Sequence, residues 1–344
     1  MRPIIAIFFL ITSTAFGQIP DGYYDNAVGL SGQQLREALH DIIDGHQSQS
    51  YSSLWTHFQS TDDKSDGKVW DMYSDVPGGN PAYTYTFVSD QCGNYSAEGD
   101  CYNREHSFPK SWFDDQAPMV TDLFHIYPTD GFVNGKRSNY PFGEISNYSW
   151  ISTNGSKVGN CSYTGYSGLV FEPIDEYKGD FARTYFYMMT RYVDLVSSWN
   201  SDMLSGDDLA YWAKEMLLEW DANDPVNSKE TDRNNAVYEI QNNRNPFIDH
   251  PEFTGSIWGE ATLIKDRENL NVKLWYTGDY IHIENPTGTN GQMIISSILG
   301  SRIGSRTINS SSTDIQVNLK NGIYIVYFYS AMDMQSFKFI VTNN

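Results

Sequence analysis

Basic side chains are scarce in this sequence: 23 Lys and Arg stand against 43 Asp and Glu in 344 residues, a formal charge of −20. A protein that coats nucleic acid through counterion release needs the opposite sign. That class is excluded, and any nucleic-acid chemistry must come from a local site. Cysteine is scarcer still, with three in all. Cys92 and Cys101 lack the paired Cys-x-x-Cys spacing of a zinc site. The chain contains no HExxH, no Walker A loop and no GxSxG elbow. It also lacks any run of about 18 apolar residues, so it holds no helical membrane span. Apolar residues in general are plentiful, at 40% hydrophobic and 15% aromatic. A disordered chain could not bury that much, and the length suits one or two domains.

Residues 1–17 read MRPIIAIFFLITSTAFG. Arg2 precedes an apolar run from Ile4 to Ile11, and Ala15 and Gly17 fall at −3 and −1 of a cleavage point. This is a secretory signal peptide pattern, which predicts a secreted or cell-surface protein. Export permits a Cys92–Cys101 disulfide across a short loop and leaves Cys161 odd.

Residues 18–255 read as a mixed α+β domain. Ser31–Gln34 fits a capping box, followed by Leu35, Leu39, Ile42 and Ile43 on one helical face, with Gly45 to end the helix. A second helix is predicted over 178–198, with Phe181, Tyr185, Met188, Met189, Tyr192 and Leu195 as a core stripe. A third is predicted from Ser205 onward and a fourth over 229–242. Residues 50–175 are rich in Gly, Ser, Asn, Tyr and Asp and read as loops and short strands. After a linker over 256–268, short alternating runs separated by turns predict a small antiparallel β-sandwich over 269–344. Those 76 residues hold five basic and four acidic side chains, so residues 1–268 carry −21.

Two segments carry the candidate chemistry, YNREHSFPKSWF at 102–113 and DLFHIYPTDGFVNGKRSN at 122–139. Glu105 and His106 are adjacent, so on an extended strand they point to opposite faces. One can hold a metal while the other faces a reacting water, provided the strand ends there, as Pro109 favours. Thr129 or Asp130 can cap a helix that carries Asn134 in its first turns, with Lys136 and Arg137 nearby to meet phosphate. A carboxylate and an amide oxygen are hard ligands suited to Mg²⁺ with several waters retained.

Together these segments resemble the endonuclease I family of secreted or periplasmic nucleases. The similarity continues through Phe171–Pro173, Asp175–Arg183, Phe186–Met188, Arg233–Asn234 and Ile240–Phe247, and covers most of 30–252. The resemblance implies a ββα-metal (His-Me) finger, with His106 as general base and Glu105 and Asn134 as ligands of Mg²⁺ or another divalent cation. It implies an endonuclease without sequence preference that leaves 5′-phosphates on DNA, with RNA as a further substrate left open. Lys136 and Arg137 are candidate phosphate contacts, with a structural salt bridge as the alternative for either. One position departs from the family pattern, Phe124 where a His is expected. The last domain is similar to the C-terminal sorting domain of type IX secretion cargo, on Ser297–Ile303, Val317–Leu319 and Asn321–Val326, which implies the secretion machinery as a partner. The alternative is a surface adhesion or carbohydrate-binding protein in which the Glu105–His106 pair is inert. A further alternative is a phosphodiesterase that uses the same finger on small or lipid substrates.

Overall fold

The computed structural model describes residues 19–259 and, beyond them, 272–277, 279–284, 291–297, 302–309, 311–330 and 334–341. The expected signal peptide over 1–17 lies outside these residues. Two compact units divide between residues 261 and 262.

The helices of the first unit are α1 (Gly32–Ile43), α2 (Leu54–Thr61), α3 (Gly131–Arg137), α4 (Lys178–Arg191), α5 (Tyr211–Asn223), α6 (Ser228–Gln241), α7 (Pro246–Asp249) and α8 (Glu252–Ile257). Its strands are β1 (Tyr102–His106), β2 (Ile126–Asp130), β3 (Tyr148–Ile151), β4 (Lys157–Asn160), β5 (Leu169–Glu172), β6 (Leu204–Ser205) and β7 (Asp208–Leu209). The pairs β1–β2 and β6–β7 and the sheet β3–β4–β5 are all antiparallel.

Helix α4 is the centre of this unit. All 14 of its residues are buried, and it packs against α1, α5 and α7. A helix covered on every side must satisfy its polar groups internally. Arg183 does so through Glu230 at 2.7 Å and Asp221 at 2.8 Å.

Several boundaries differ from the sequence reading. The helix predicted over 178–198 stops at Arg191. The helix predicted from Ser205 begins at Tyr211, because left-handed Gly206 (φ 66°) turns the chain into the β6–β7 hairpin first. Ser31 precedes α1 but its side chain makes no cap hydrogen bond. The capping box sits instead at α6, where Asn227 Oδ1 accepts from the amides of Lys229 and Glu230 and Glu230 accepts from the Asn227 amide. Helix α2 falls in the stretch whose sequence reads as loop, since eight residues with Leu54, Phe58 and Thr61 buried carry little periodic signal. The linker does not begin at 256. Trp258 is 4% exposed, stacks on Phe186 at 4.7 Å and donates to Asp208 Oδ1 at 2.9 Å. It belongs to the first core.

The second unit has β8 (Lys273–Thr277), β9 (Tyr280–Glu284), β10 (Gly291–Ser297), β11 (Arg302–Ile308), β12 (Ser312–Gln316), β13 (Gly322–Ser330) and β14 (Met334–Val341). They form antiparallel sheets in the orders β11–β10–β13–β14 and β12–β9–β8. Ile281, Ile283 and Ile315 of one sheet share a core with Met293, Ile295, Ile308, Val326 and Phe328 of the other, the layered packing of a sandwich. Strand β11 was not anticipated, because RIGSRTI alternates weakly.

Candidate active site

The cleft is organised by a short β-ribbon and the helix that follows it. In the β1–β2 pairing Glu105 lies opposite Tyr127 and His106 opposite Ile126. Chain direction then changes at once, because Asp130 ends β2 and caps α3, its Oδ1 accepting from the Val133 amide at 2.8 Å. A Cβ on Gly131 or Gly135 would approach the Tyr95 ring to 2.6 Å, so a side chain at either position needs that exposed ring to move. Ahead of β1, Cys92 and Cys101 form the expected disulfide and close the loop that delivers the strand. Cys161 is free and buried.

The strand ends as the sequence requires. After His106 the ladder closes with the Ser107 amide on the His125 carbonyl at 2.9 Å, and Pro109 follows in extended geometry. Glu105, His106 and Asn134 thereby line one cleft of about 390 Å³, together with Tyr51, Arg104 and Lys110.

Glu105 is 2% exposed. Its Oε1 accepts from the Tyr73 hydroxyl at 2.8 Å and faces Arg137 Nε at 3.4 Å. Burial raises its pKa, and the Arg137 charge and the Tyr73 hydroxyl oppose that rise. His106 is 5% exposed. Its Nε2 lies 3.2 Å from the Val120 carbonyl oxygen. A carbonyl can only accept, so the ring proton sits on Nε2 and Nδ1 carries a lone pair. Nδ1 has no hydrogen-bond partner among the described residues. Burial, followed by the neighbouring His125, lowers the His106 pKa well below the ordinary value, so the ring is neutral at pH 7. Asn134 donates from Nδ2 to Asn103 Oδ1 at 2.7 Å, which leaves its own Oδ1 as an acceptor.

Arg137 does not match the expected phosphate contact. It is 1% exposed, and its guanidinium donates to the carbonyls of His106, Ser107 and Ser138 while Nε faces Glu105. It fixes the backbone and carboxylate of the site. Lys136 is exposed, with its ammonium 5.1 Å over the Phe132 ring. Phe124, at the departure from the family pattern, is a core residue packed on Tyr187 at 4.6 Å. Beneath the cleft, His125 is fully buried with Nε2 2.7 Å from the Met119 carbonyl oxygen. Asp122 is equally buried, and burial alone would raise its pKa. The charges of His46 and His125 and hydrogen bonds from Gln241 and Tyr192 hold it instead at about 2.

Tyr73, Asn103 and Val120 were not singled out from sequence. Asn103 sits inside the conspicuous 102–113 segment. Tyr73 and Val120 reach the site only through the fold, and Val120 contributes a backbone carbonyl that no side-chain pattern can reveal.

Among the described residues, no group of three or more His, Cys, Asp or Glu is placed to hold a metal ion. A pair of one carboxylate and one amide is not such a group. The donor chemistry at Glu105 and Asn134, two hard oxygens in one cleft, nevertheless fits a hydrated divalent cation.

A match to the endonuclease I family spans residues 31–252. The chain belongs to the endonuclease I family. It is therefore a nuclease, and the cleft lies wholly inside the matched span. An extracellular ribonuclease of Bacillus amyloliquefaciens is 38% identical over 247 residues, covering 69% of this chain and 78% of that protein. An extracellular ribonuclease of Bacillus subtilis (strain 168) is 34% identical over 250 residues with the same coverage. A periplasmic deoxyribonuclease of Aeromonas hydrophila is 30% identical over 135 residues, 38% of this chain and 48% of that protein. These relatives are extracellular or periplasmic, in keeping with an exported nuclease, and no helix among the described residues is long and apolar enough to cross a membrane. The β-strand unit lies beyond the family match.

Proposed function

We propose that this endonuclease I family member is a divalent-cation-dependent endonuclease that hydrolyses DNA and RNA without sequence preference, and that β1, β2 and α3 form a ββα-metal finger. The observation that carries the reading is the Nε2-anchored His106 ring, with Nδ1 unpartnered among the described residues, beside Glu105 and Asn134 in one cleft. His106 Nδ1 takes a proton from water as the new oxygen–phosphorus bond forms. The bond from phosphorus to the 3′ oxygen breaks, the 3′ oxygen leaves as a hydroxyl after protonation by solvent, and the phosphate stays on the 5′ side. Mg²⁺ held by Glu105 and Asn134 would offset the charge that develops on the phosphoryl group and the leaving oxygen. Tyr73 and Arg137 fix the Glu105 carboxylate, and exposed Lys136 meets the phosphate backbone. A site that addresses the phosphodiester group reads no base edge, hence the lack of sequence preference.

The test is cleavage of plasmid DNA and of RNA by the purified protein, with and without chelator. Cleavage of both that chelator abolishes and Mg²⁺ restores supports the reading. Cleavage that persists at saturating chelator overturns the metal assignment. For the β-strand unit, we propose the role of a type IX secretion sorting domain, supported by its separate core and its lack of the first unit's acidity. Retention inside a type IX-competent host after its deletion tests that role. Unimpaired release would remove it.

A further inference from the structure

The His106 cleft continues sideways. Ser111 and Asn139 line it and also line a second hollow of about 380 Å³, and Asn139 Nδ2 lies 3.5 Å from Ser111 Oγ at the seam between them. The two hollows differ in charge. The first has Arg104, Lys110 and Arg137 on its wall beside one carboxylate, Glu105. Among the described residues that line the second there is no Lys or Arg, and Asp202 contributes a carboxylate. Its walls are otherwise neutral: the amides of Asn139 and Asn200, the rings of Tyr140 and Tyr166, and the half-exposed Leu169. Tyr166 is held rigid, stacked on Trp212 at 4.5 Å and 8° and donating to Asp202 Oδ2 at 2.6 Å.

We propose that this second hollow is a subsite for the sugar and base of a nucleotide adjoining the scissile phosphate. The proposal rests on the nuclease reading of the first cleft. Asp202 repels phosphate, so the neutral part of the nucleotide is what this hollow admits. The lining is mostly polar: the Asn139 and Asn200 amides offer donors and acceptors to base edge or sugar hydroxyl, and Leu169 and the tyrosine rings add a small contact to the base. A base can enter only when it is out of a duplex stack. The substrate class it selects is therefore a single-stranded or unpaired stretch.

The test compares kcat/KM of the full chain on a single-stranded octanucleotide and on bis(p-nitrophenyl) phosphate, a diester with no flanking nucleoside, both with Mg²⁺. Leu169→Glu places a second negative charge on the wall at an exposed position, and Asn200→Ala removes one amide. For Leu169→Glu the ratio of the two efficiencies is expected to fall about tenfold, as an apolar contact is lost and a second negative charge faces the nucleotide. For Asn200→Ala it is expected to fall about threefold, the scale of one lost hydrogen bond. Annealing the octanucleotide to its complement should lower wild-type efficiency and erase the difference between variants. Unchanged ratios, or equal losses on both substrates, overturn the subsite while leaving the nuclease intact. A wild-type protein inert to both substrates overturns the nuclease reading itself, and the subsite with it.

Discussion

Five arginines in the first unit, Arg36, Arg137, Arg183, Arg233 and Arg244, are at most 4% exposed. Each is tied to carboxylates or carbonyls: Arg233 to Asp62 at 2.7 Å, Arg244 to Asp249 at 2.5 Å, Arg36 to the Met189 carbonyl at 2.7 Å. The β-strand unit buries Val, Ile, Met and Phe in its shared core, and its His282–Asp314 pair is on the exposed face of a sheet. A sandwich is held by backbone ladders and apolar burial, and it needs no interior charge. The first unit holds long irregular segments in place, and a buried ion pair does that well. It adds little net stability, but losing one partner is expensive, so the surrounding loops have one acceptable arrangement. The same setting keeps His106 neutral and Glu105 anchored. Chemistry can reside in the unit that tolerates desolvated charge, and the other is left to interactions at its surface.

The largest expected effect probes the border between the two units. A chain ending at Gly255 removes Trp258 from its stack on Phe186 and Phe247. Deleting a buried Trp contact of this kind should lower the stability of the first unit by about 3–5 kcal/mol. Denaturant unfolding of this chain beside one ending at 261 measures it. Equal midpoints would mean that the first core is complete without Trp258.

Next comes His106→Ala, which should lower cleavage by about 10²-fold or more, the usual scale for losing a general base. The ring contacts Val120 and His125 but carries no ion pair, so the protein should remain folded by circular dichroism. A folded variant with near-wild-type activity would end the assignment. Third, replacing Cys92 and Cys101 by Ser opens the loop ahead of β1 and should lower stability by about 2–3 kcal/mol. Mass spectrometry showing two free thiols in the exported wild-type protein would contradict the bridge.

Much of this was legible in the sequence, and unevenly so. Glu105, His106 and Asn134 stand out as candidates because they fall in two short, chemically dense segments, and the fold places all three on one cleft. Helix α4 was readable from its aromatic and Met stripe. The sequence leaves Arg137 open between a phosphate contact and a structural salt bridge, and the fold favours the second, since its guanidinium is enclosed by three carbonyls and a carboxylate. Trp258 falls in the stretch that reads as a linker because a lone aromatic among polar residues gives no periodic signal. Tyr73 was invisible, since its 2.8 Å bond to Glu105 crosses 32 residues of chain.

That bond supplies the fourth prediction. Tyr73→Phe keeps the ring in its place against Phe171 and Phe181 and deletes one hydroxyl from Glu105 Oε1. The Mg²⁺ concentration for half-maximal activity should rise about tenfold, as when a partner of a metal-binding carboxylate is lost, with most of kcat regained at saturating metal. A fall in kcat with an unchanged metal response would assign Tyr73 to packing alone.

The smallest expected effect is the sharpest test of the contrast between the units. The residues assigned to chemistry lie between 105 and 134, and the family match ends at 252. The first core closes with Trp258, and the β-strands have a core of their own. Units with separate cores can fold separately. A chain ending at 261 should therefore cleave nucleic acid in vitro with specific activity within about a factor of two of the full chain. The same deletion should change where the protein accumulates when it is expressed in a type IX-competent host. If the shortened protein is folded yet loses most of its cleavage, the β-strand unit takes part in binding substrate. Its plain apolar core would then be the frame for a nucleic-acid surface, and the division of labour drawn from the two interiors would fail.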